Sequence, residues 1–595
     1  MRRKIRDKSL MSKEDNHLFV VAIDFGTTYS GYAFSARGDF SSDPLENIET
    51  NIWQSGNLVS HKTPTTLLLK HSEPDGRQEF VAFGYEAEDI YSHLAEGERD
   101  GYYYFRRFKM ALYDEDRTVA LTRETKLKDI KDKELLSLHV FSHSIEYLKK
   151  NCLEKFKKQD YQECMDGILW VLTVPAIWDD AAKQFMREAA IEAGLPKDRF
   201  MICLEPEAAS VYCKYLPMEK LEEDSNLHAL QSGRRFIVVD AGGGTIDMAV
   251  QEVTDDNKLQ EIDHVQGGKW GGIYVDEEFK KLVEHIIGKP LLEGYRLSNT
   301  GDYIELFRFF EMKKRQTQSS TVRLSFPPSL LQFVQEVSNI TISEATKQSE
   351  CNQDITWRRE KMQMPLRKFQ ELFDNVTQQI AQQVEKIISS ECNRGTDLIL
   401  LVGGFSESEV LQKRIKESFP NCKVVTPPEA GLSILRGAVL YGHDPSIIKA
   451  RAAKYTYGVK VKELFDAKKH LMSKKEIVHG KLYCRDVFSL HIKKGSVISI
   501  HQPPVKKSYV PLYPEQSAAA IKVFASKGKP PQYTDEKDCE YLGVLNIKMP
   551  NTEKGLDREV SACLKFGGTE LTIEGIDETS GEKVEAQLDF LAGGP

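Results

Sequence analysis

Asp24 closes an apolar run, FVVAIDF over 19–25, and Gly26, Thr27, Thr28 and Tyr29 follow it. Asp240 closes a second run, FIVVDA over 236–241, and Gly242, Gly243, Gly244 and Thr245 follow. A buried strand that ends in a carboxylate and opens into a Gly/Thr turn can hold a metal-bound phosphate. Glycine lets the backbone approach phosphate oxygens, threonine hydroxyls add donors, and a concavity of N–H groups favours negative charge. The acid can hold magnesium through water, since hard cations take oxygen ligands. Either turn alone reads more readily as an ordinary strand end. A third turn, Gly403 and Gly404 after LILLV, makes a shared phosphate ligand the stronger reading.

Such turns need strands to carry them and helices to bury the strands. FVVAIDF, ILWVLTV (168–174), FIVVDA and DLILLVG (397–403) predict buried strands separated by longer helical patterns, as in an α/β sheet covered by helices. Leu135, Leu138, Phe141, Ile145, Leu148, Cys152 and Phe156 recur every three or four residues and predict one amphipathic helix leading into the second strand. The common design of the two acid-tipped turns predicts a duplicated lobe rather than a short-period repeat. Residues 327–360 are polar, with strand signal only at VSNITI, and read as an insertion. Residues 1–17 are charged and aperiodic and read as a disordered leader. Near 442 the pattern changes, and from about 455 short strands alternate with turns such as GKPPQYTD, MPNTEKG and DETSGEK.

A chain of 595 residues exceeds what one hydrophobic core serves, so several folding units are expected. Apolar residues at 41% and charged residues at 29% exclude global disorder. Lys plus Arg total 81 against 89 Asp plus Glu, a net charge of -8, which leaves no broad positive field for nucleic acid. Ten cysteines without a Cys-x-x-Cys pair fit reduced thiols in a cytosolic protein. No signal-peptide pattern precedes Asp24, and no segment approaches the roughly 18 apolar residues that span a bilayer. The expected location is therefore cytoplasmic, with nuclear access open. His139 and His143 stand four apart but lack the third ligand of a zinc motif, and DGYYYFRRFKM reads as an aromatic core segment rather than a nucleic-acid platform.

IDFGTTYS, VLTVPAIWDDAAKQFMREAAIEAGL, LEPEAASVYC, VDAGGGTIDM, EMKKR and LLVGGF occur in the order seen in the 70-kilodalton heat-shock chaperones, and the chain resembles that family from about 18 to 442. FGTTYSGYAF, GGKWGG and GGFSES are similar to its divergent 12A/12B-like subgroup. The resemblance implies an actin-like (ribonuclease H-like) duplicated two-lobe ATPase domain over 18–450, binding ATP or ADP with magnesium. It implies a first phosphate loop of Asp24, Gly26, Thr27, Thr28 and Tyr29, and a second of Asp240, Gly242, Gly243, Gly244 and Thr245. Asp24 and Asp240 would hold magnesium through water, Asp240 would also orient or deprotonate the attacking water, and Glu205 would be a further catalytic carboxylate. Lys109 is the candidate for neutralising the transferred phosphoryl group, with Arg106 and Arg107 competing in the same basic stretch.

Glu311, Lys314 and Arg315 would serve the base and ribose, although such charges also form ordinary helix pairs. Gly403 and Gly404 would join them, and Gly271 and Gly272 fit a further turn at the nucleotide or a packing role. Where the family usually has a serine after the Gly-Gly pair and an arginine two residues later, this chain has Phe405 and Glu407, which bears on adenine contacts. Pro175 matches the family's switch proline and is equally a strand-ending proline.

The tail, 455–595, resembles the family's β-sandwich substrate-binding domain without a helical lid, a module that holds extended peptides. The expected function is an ATP-binding, chaperone-like protein of the stress response with weak magnesium-dependent hydrolysis, coupled to a β domain that takes protein or peptide clients. The alternative is a pseudo-ATPase scaffold or signalling protein that binds nucleotide without significant turnover.

Overall fold

The computed structural model describes residues 17–591, apart from 57, 73–76, 96, 114–119, 218–229, 316–318, 352 and 567. The leader expected over 1–17 falls, but for His17, outside the described residues. All seven residues of β1 (Phe19–Phe25) are buried, as a fully covered strand requires. It pairs antiparallel with β2 (Tyr29–Ala36), which pairs with β3 (Glu49–Thr50). On its other side β1 runs parallel to β4 (Ile168–Val174), and β4 parallel to β5 (Phe200–Leu204). A second sheet repeats the plan. There β6 (Arg235–Ala241) pairs antiparallel with β7 (Ile246–Val253) and β7 with β8 (Leu259–Glu261), while β9 (Leu398–Val402) and β10 (Lys423–Val425) lie parallel beyond β6. The orders are β5-β4-β1-β2-β3 and β10-β9-β6-β7-β8, so each element of the first sheet has its counterpart five labels later.

Parallel neighbours need long crossovers, and helices supply them. They include α1 (Ser137–Lys158) before β4, α2 (Asp180–Glu192) between β4 and β5, and α3 (Glu205–Tyr215) after β5. In the second half, α4 (Thr300–Arg315) precedes β9 and α5 (Ser433–His443) follows β10. The periodicity over 135–156 appears as α1, whose buried stripe includes Phe141, Ile145, Leu148, Cys152 and Phe156. Leu135 belongs instead to a short strand that leads into it.

Side chains alternate across a strand. Val21, Ile23 and Phe25 therefore face the core shared with α1 and α2, and Ile237, Val239 and Ala241 face the core of the second sheet. Val20 and Ala22 join Phe236 and Val238 in a central core filled by α3 and α5. These two helices occupy equivalent positions in the two halves and touch backbone to backbone: a Cβ on Gly437 would lie 1.7 Å from the Ala208 carbonyl oxygen.

The segment 327–360 folds mostly as helix, Pro328–Ser338 and Ile342–Gln348. VSNITI forms no strand. Asn339 takes a left-handed conformation (φ 58°) that ends the first helix, and Thr341 caps the second through a reciprocal capping box with Glu344. Beyond 455, Thr456–Leu464, Lys481–Ile492, Ala518–Ser526 and Cys539–Lys548 build an antiparallel sheet, with Lys475–Val478 at its edge. A second antiparallel sheet, from Val505–Tyr509 to Lys583–Gln587, shares an apolar core with it, with Ile547 and Leu545 packed against Gly575. One strand returns: Val497–Ser499 pairs with Ile448–Ala452, which runs parallel to β8 and so extends the second sheet. Among the described residues no helix is long and apolar enough to cross a membrane.

Candidate functional site

The two hairpins β1–β2 and β6–β7 point their turns at one cavity of about 590 Å³. Asp24, Gly26, Thr27, Thr28 and Tyr29 line it from one side. Asp240, Gly242, Gly243, Gly244 and Thr245 line it from the other, with Gly403 and Gly404 after β9. The turns interlock, because a Cβ on Gly243 would lie 2.1 Å from Thr28 Oγ1. Gly403 adopts φ 85°, and a Cβ there would lie 2.4 Å from Asp240 Oδ1, so both backbone and space demand glycine. Thr65 braces the first turn, its N–H donating to the Thr28 carbonyl at 2.9 Å and its hydroxyl to the Gly26 carbonyl at 2.7 Å.

Gly271 and Gly272 divide their work. The Gly271 N–H donates to the Gly244 carbonyl at 3.1 Å, and a Cβ on Gly271 would strike the Gly243 carbonyl at 2.4 Å, so this glycine backs the second turn by close packing and is not among the lining residues. Gly272 lines the cavity, and its N–H donates to the Gly242 carbonyl at 3.1 Å.

The basic stretch after Tyr102–Arg106 is sorted by its partners. Arg106 faces Glu88 at 3.7 Å, Arg107 holds Asp276 at 2.5 Å, and Lys109 Nζ lies 2.7 Å from Glu205 Oε1. Lys109 is thus the one of the three that meets a carboxylate of the expected catalytic set. Burial raises the Glu205 carboxyl above its usual value even with Lys109 opposing it. Asp240 is pushed well above the ordinary carboxylate value by burial and then by the charges of Glu205, Asp247 and Asp24. Its Oδ1 is buried without a hydrogen-bond partner among the described residues, a donor-seeking oxygen suited to a metal-held or attacking water.

Asp24 is different. Lys62 Nζ lies 2.6 Å from its Oδ2, and the Thr173 hydroxyl donates to its Oδ1 at 2.8 Å. Burial works to raise this carboxyl, but Lys62, joined by the charge of Lys109 and the Thr173 hydroxyl, holds it below the usual value. Each oxygen of Asp24 thus accepts one protein donor, and a carboxylate oxygen can accept a second. Of the two acids expected to hold magnesium through water, Asp24 is already paired with a lysine, and Asp240 has an oxygen without a partner among the described residues.

On the far side, Glu311, Lys314 and Arg315 of α4 line the cavity. Lys314 is buried between Asp276 at 2.6 Å and Glu311 at 2.5 Å and donates to the Gly272 carbonyl at 3.0 Å. Arg315 faces Glu407 at 3.5 Å, and its guanidinium lies over the Tyr29 ring at 5.9 Å. Phe405 lines the cavity beside Gly272 and stacks on Phe373 with ring centroids 6.4 Å apart, and Glu407 accepts the Gly431 N–H at 3.1 Å. Pro175 ends β4, and the N–H of the next residue, Ala176, donates to Asp247 Oδ2 at 2.6 Å. Asp247 stands opposite Asp240 across the hairpin, and burial, followed by the charge of Glu205, pushes it up to about 7. His139 and His143 each face one glutamate, Glu192 at 4.0 Å and Glu146 at 3.9 Å.

Three residues escaped the sequence reading. Asp247 and Thr173 sit inside the motifs VDAGGGTIDM and TVPA and could have been found there by strand alternation. Lys62, in HKTPTT, carries no local signal.

This geometry is a nucleotide-sized, glycine-walled cleft between two sheets of repeated topology. A family model described as Hsp70 protein matches residues 122–447. Human "Heat shock 70 kDa protein 12B" is 31% identical over 96% of this chain and 91% of its own length. Human "Heat shock 70 kDa protein 12A" is 30% identical over 98% and 93%. "Chaperone protein DnaK" of Thermosipho melanesiensis is 24% identical over 75% of this chain and 64% of its own length. The chain belongs to the Hsp70 family, as a divergent 12A/12B-like member.

Proposed function

We propose that the chain is an ATP-binding, chaperone-like protein with an actin-like two-lobed nucleotide domain over 18–450 and a client-holding β domain over 455–595. One observation carries the reading: the acid-tipped turns of the two hairpins close on a single cavity that also holds the Lys109–Glu205 pair. The glycine turns cradle the phosphates, and α4 with Gly403 and Gly404 takes the nucleoside. Lys109 offsets charge on the γ-phosphoryl group, positioned by Glu205. Asp240, with its raised proton affinity, orients the attacking water and accepts its proton. Magnesium, when bound, supplies further neutralisation of the phosphates. Hydrolysis is weak and magnesium-dependent, and the product is ADP.

The segment after Pro175 supports coupling to the β domain. Ala176 binds Asp247 of the second hairpin, while Lys454 Nζ, at the start of the β-rich region, donates to the Ile177 carbonyl and at 2.9 Å to the Trp178 carbonyl. A change in lobe closure at the nucleotide thus has a short path to the strands that take peptide or protein clients. The second reading, a scaffold that binds nucleotide without significant turnover, is favoured by Lys62 on Asp24.

Turnover of ATP by the purified chain with magnesium tests the proposal. Slow release of phosphate, abolished by Asp24→Asn, Lys109→Ala and Asp240→Asn in folded protein, supports it. Binding without turnover supports the scaffold, and unchanged turnover in all three variants rejects the site.

A further inference from the structure

Lys62 is held where its charge meets the first phosphate turn. Its backbone N–H donates to Ser60 Oγ at 3.2 Å, and the next residue, Thr63, pairs with Ser30 at the start of β2. The aliphatic stem passes over Gly31, where a Cβ would come within 3.1 Å of the Lys62 Cγ. Gly31 is the cross-strand partner of Asp24, so this glycine opens the route by which the ammonium reaches the acid. Nζ ends 2.6 Å from Asp24 Oδ2 and 2.7 Å from the Gly431 carbonyl, with the side chain 16% exposed at the cavity wall. The lysine therefore ties a turn of the first sheet to the loop that precedes α5.

An ammonium has three N–H donors and no acceptor. Among the described residues two are taken, by Asp24 and by Gly431, which leaves one for an anionic oxygen in the cavity that Lys62 lines. Lys109, the other lysine at this end, pairs with Glu205 and serves the γ-phosphoryl group in the reading above. A hydrated divalent cation at Asp24 would have to share its carboxylate with Lys62 and would face a fixed positive charge next to it. The site instead carries its own compact cation at the acid that the first turn presents.

We propose that Lys62 is a phosphate-binding residue that stands in for the metal at Asp24, so that the chain retains nucleotide without magnesium. The inference rests on the nucleotide-binding reading above and sharpens it: magnesium is needed for turnover but not for retention. The lysine satisfies Asp24 and presents its remaining donor to the β- or γ-phosphate, as a charge-assisted hydrogen bond. Nucleotide release is then governed by Lys62 and the Gly431 loop rather than by loss of the metal.

The test is titration calorimetry of the full chain with ADP and with ATP, in magnesium and in excess EDTA, for wild type, Lys62→Met and Lys62→Arg. Wild-type affinity should change by no more than about threefold on chelation, and Lys62→Met in EDTA should lose at least about tenfold, the scale of removing one charged partner from a desolvated pair. Magnesium should restore much of the loss in Lys62→Met, and Lys62→Arg should bind in EDTA better than Lys62→Met. A wild-type affinity that falls tenfold or more in EDTA overturns the inference without touching the nucleotide reading, and this arm decides even if a variant fails to fold. Equal binding of wild type and Lys62→Met in EDTA also overturns it. No binding of either nucleotide under any condition sinks the nucleotide reading and this inference together.

Discussion

Lys109 and Glu205 form an ion pair at 2.7 Å with side chains only 4% and 10% exposed, joining the segment after Tyr102–Arg106 to the first residue of α3. The Lys109 ammonium also lies 5.3 Å from the Trp178 ring centroid, beside the segment that follows Pro175. Removing one member of a buried pair leaves an uncompensated charge, at a cost of about 3–5 kcal/mol. Lys109→Met should therefore lose stability in urea unfolding as well as ATP turnover. The double variant Lys109→Met/Glu205→Gln should regain most of the stability and none of the turnover, which separates the chemical part of Lys109 from its structural part.

A second pair sets a contrast in burial. Glu207 is fully buried and takes two hydrogen bonds from Arg451, at 2.5 and 2.8 Å, which fastens α3 to the strand Ile448–Ala452. Glu207→Ala should destabilise the chain by about 3–5 kcal/mol. Arg123 and Asp589 meet at 2.9 Å, but their side chains are 40% and 47% exposed. Asp589→Ala should therefore cost no more than about 1 kcal/mol, and less in high salt. Denaturant unfolding of both variants checks the ranking.

Gly437 should tolerate no side chain. A Cβ at 1.7 Å from the Ala208 carbonyl forces α5 away from α3 in the core between the two sheets. Gly437→Ala should cost about 1–3 kcal/mol or more as overpacking, read as a lower Tm.

Gly403→Ala joins a left-handed backbone at φ 85° to a clash with Asp240 Oδ1 at 2.4 Å. Strain of this kind costs about 1–3 kcal/mol. ATP binding should fall more than stability does, measured by calorimetry and by urea unfolding on the same preparation.

Glu261 gives a pH dependence with a defined sign. Burial, and then the charge of Glu207, pushes its carboxyl from 4.5 up to about 8, while its Oε2 accepts the Ala452 N–H at 3.1 Å. Between those values the native state keeps a proton that the unfolded chain has released, so stability falls as pH rises. The contribution is complete below about 4.5 and lost above about 8. Glu261→Gln should flatten this part of the stability profile and be more stable than wild type at the alkaline end, measured by unfolding across that range.

The sequence by itself determined what local pattern can encode. Strand burial followed from unbroken apolar runs, the two cavity-lining turns from an acid placed before glycines, and α1 from a stripe at helical spacing. The same local logic failed over 337–342, where a β-branched run looked like a strand but Thr341 and Glu344 offered a helix cap that wins. Only the tertiary structure decided which cation of Arg106, Arg107 and Lys109 faces Glu205, because strand alternation and a left-handed turn at Arg107 aim them at three different acids. It alone brought Lys62 to Asp24 across 38 positions, and Gly437 to Ala208 between equivalent helices of the two halves. Local propensity is a property of neighbours in the chain. These contacts depend on sheet register and helix packing, which are settled only when the whole fold closes.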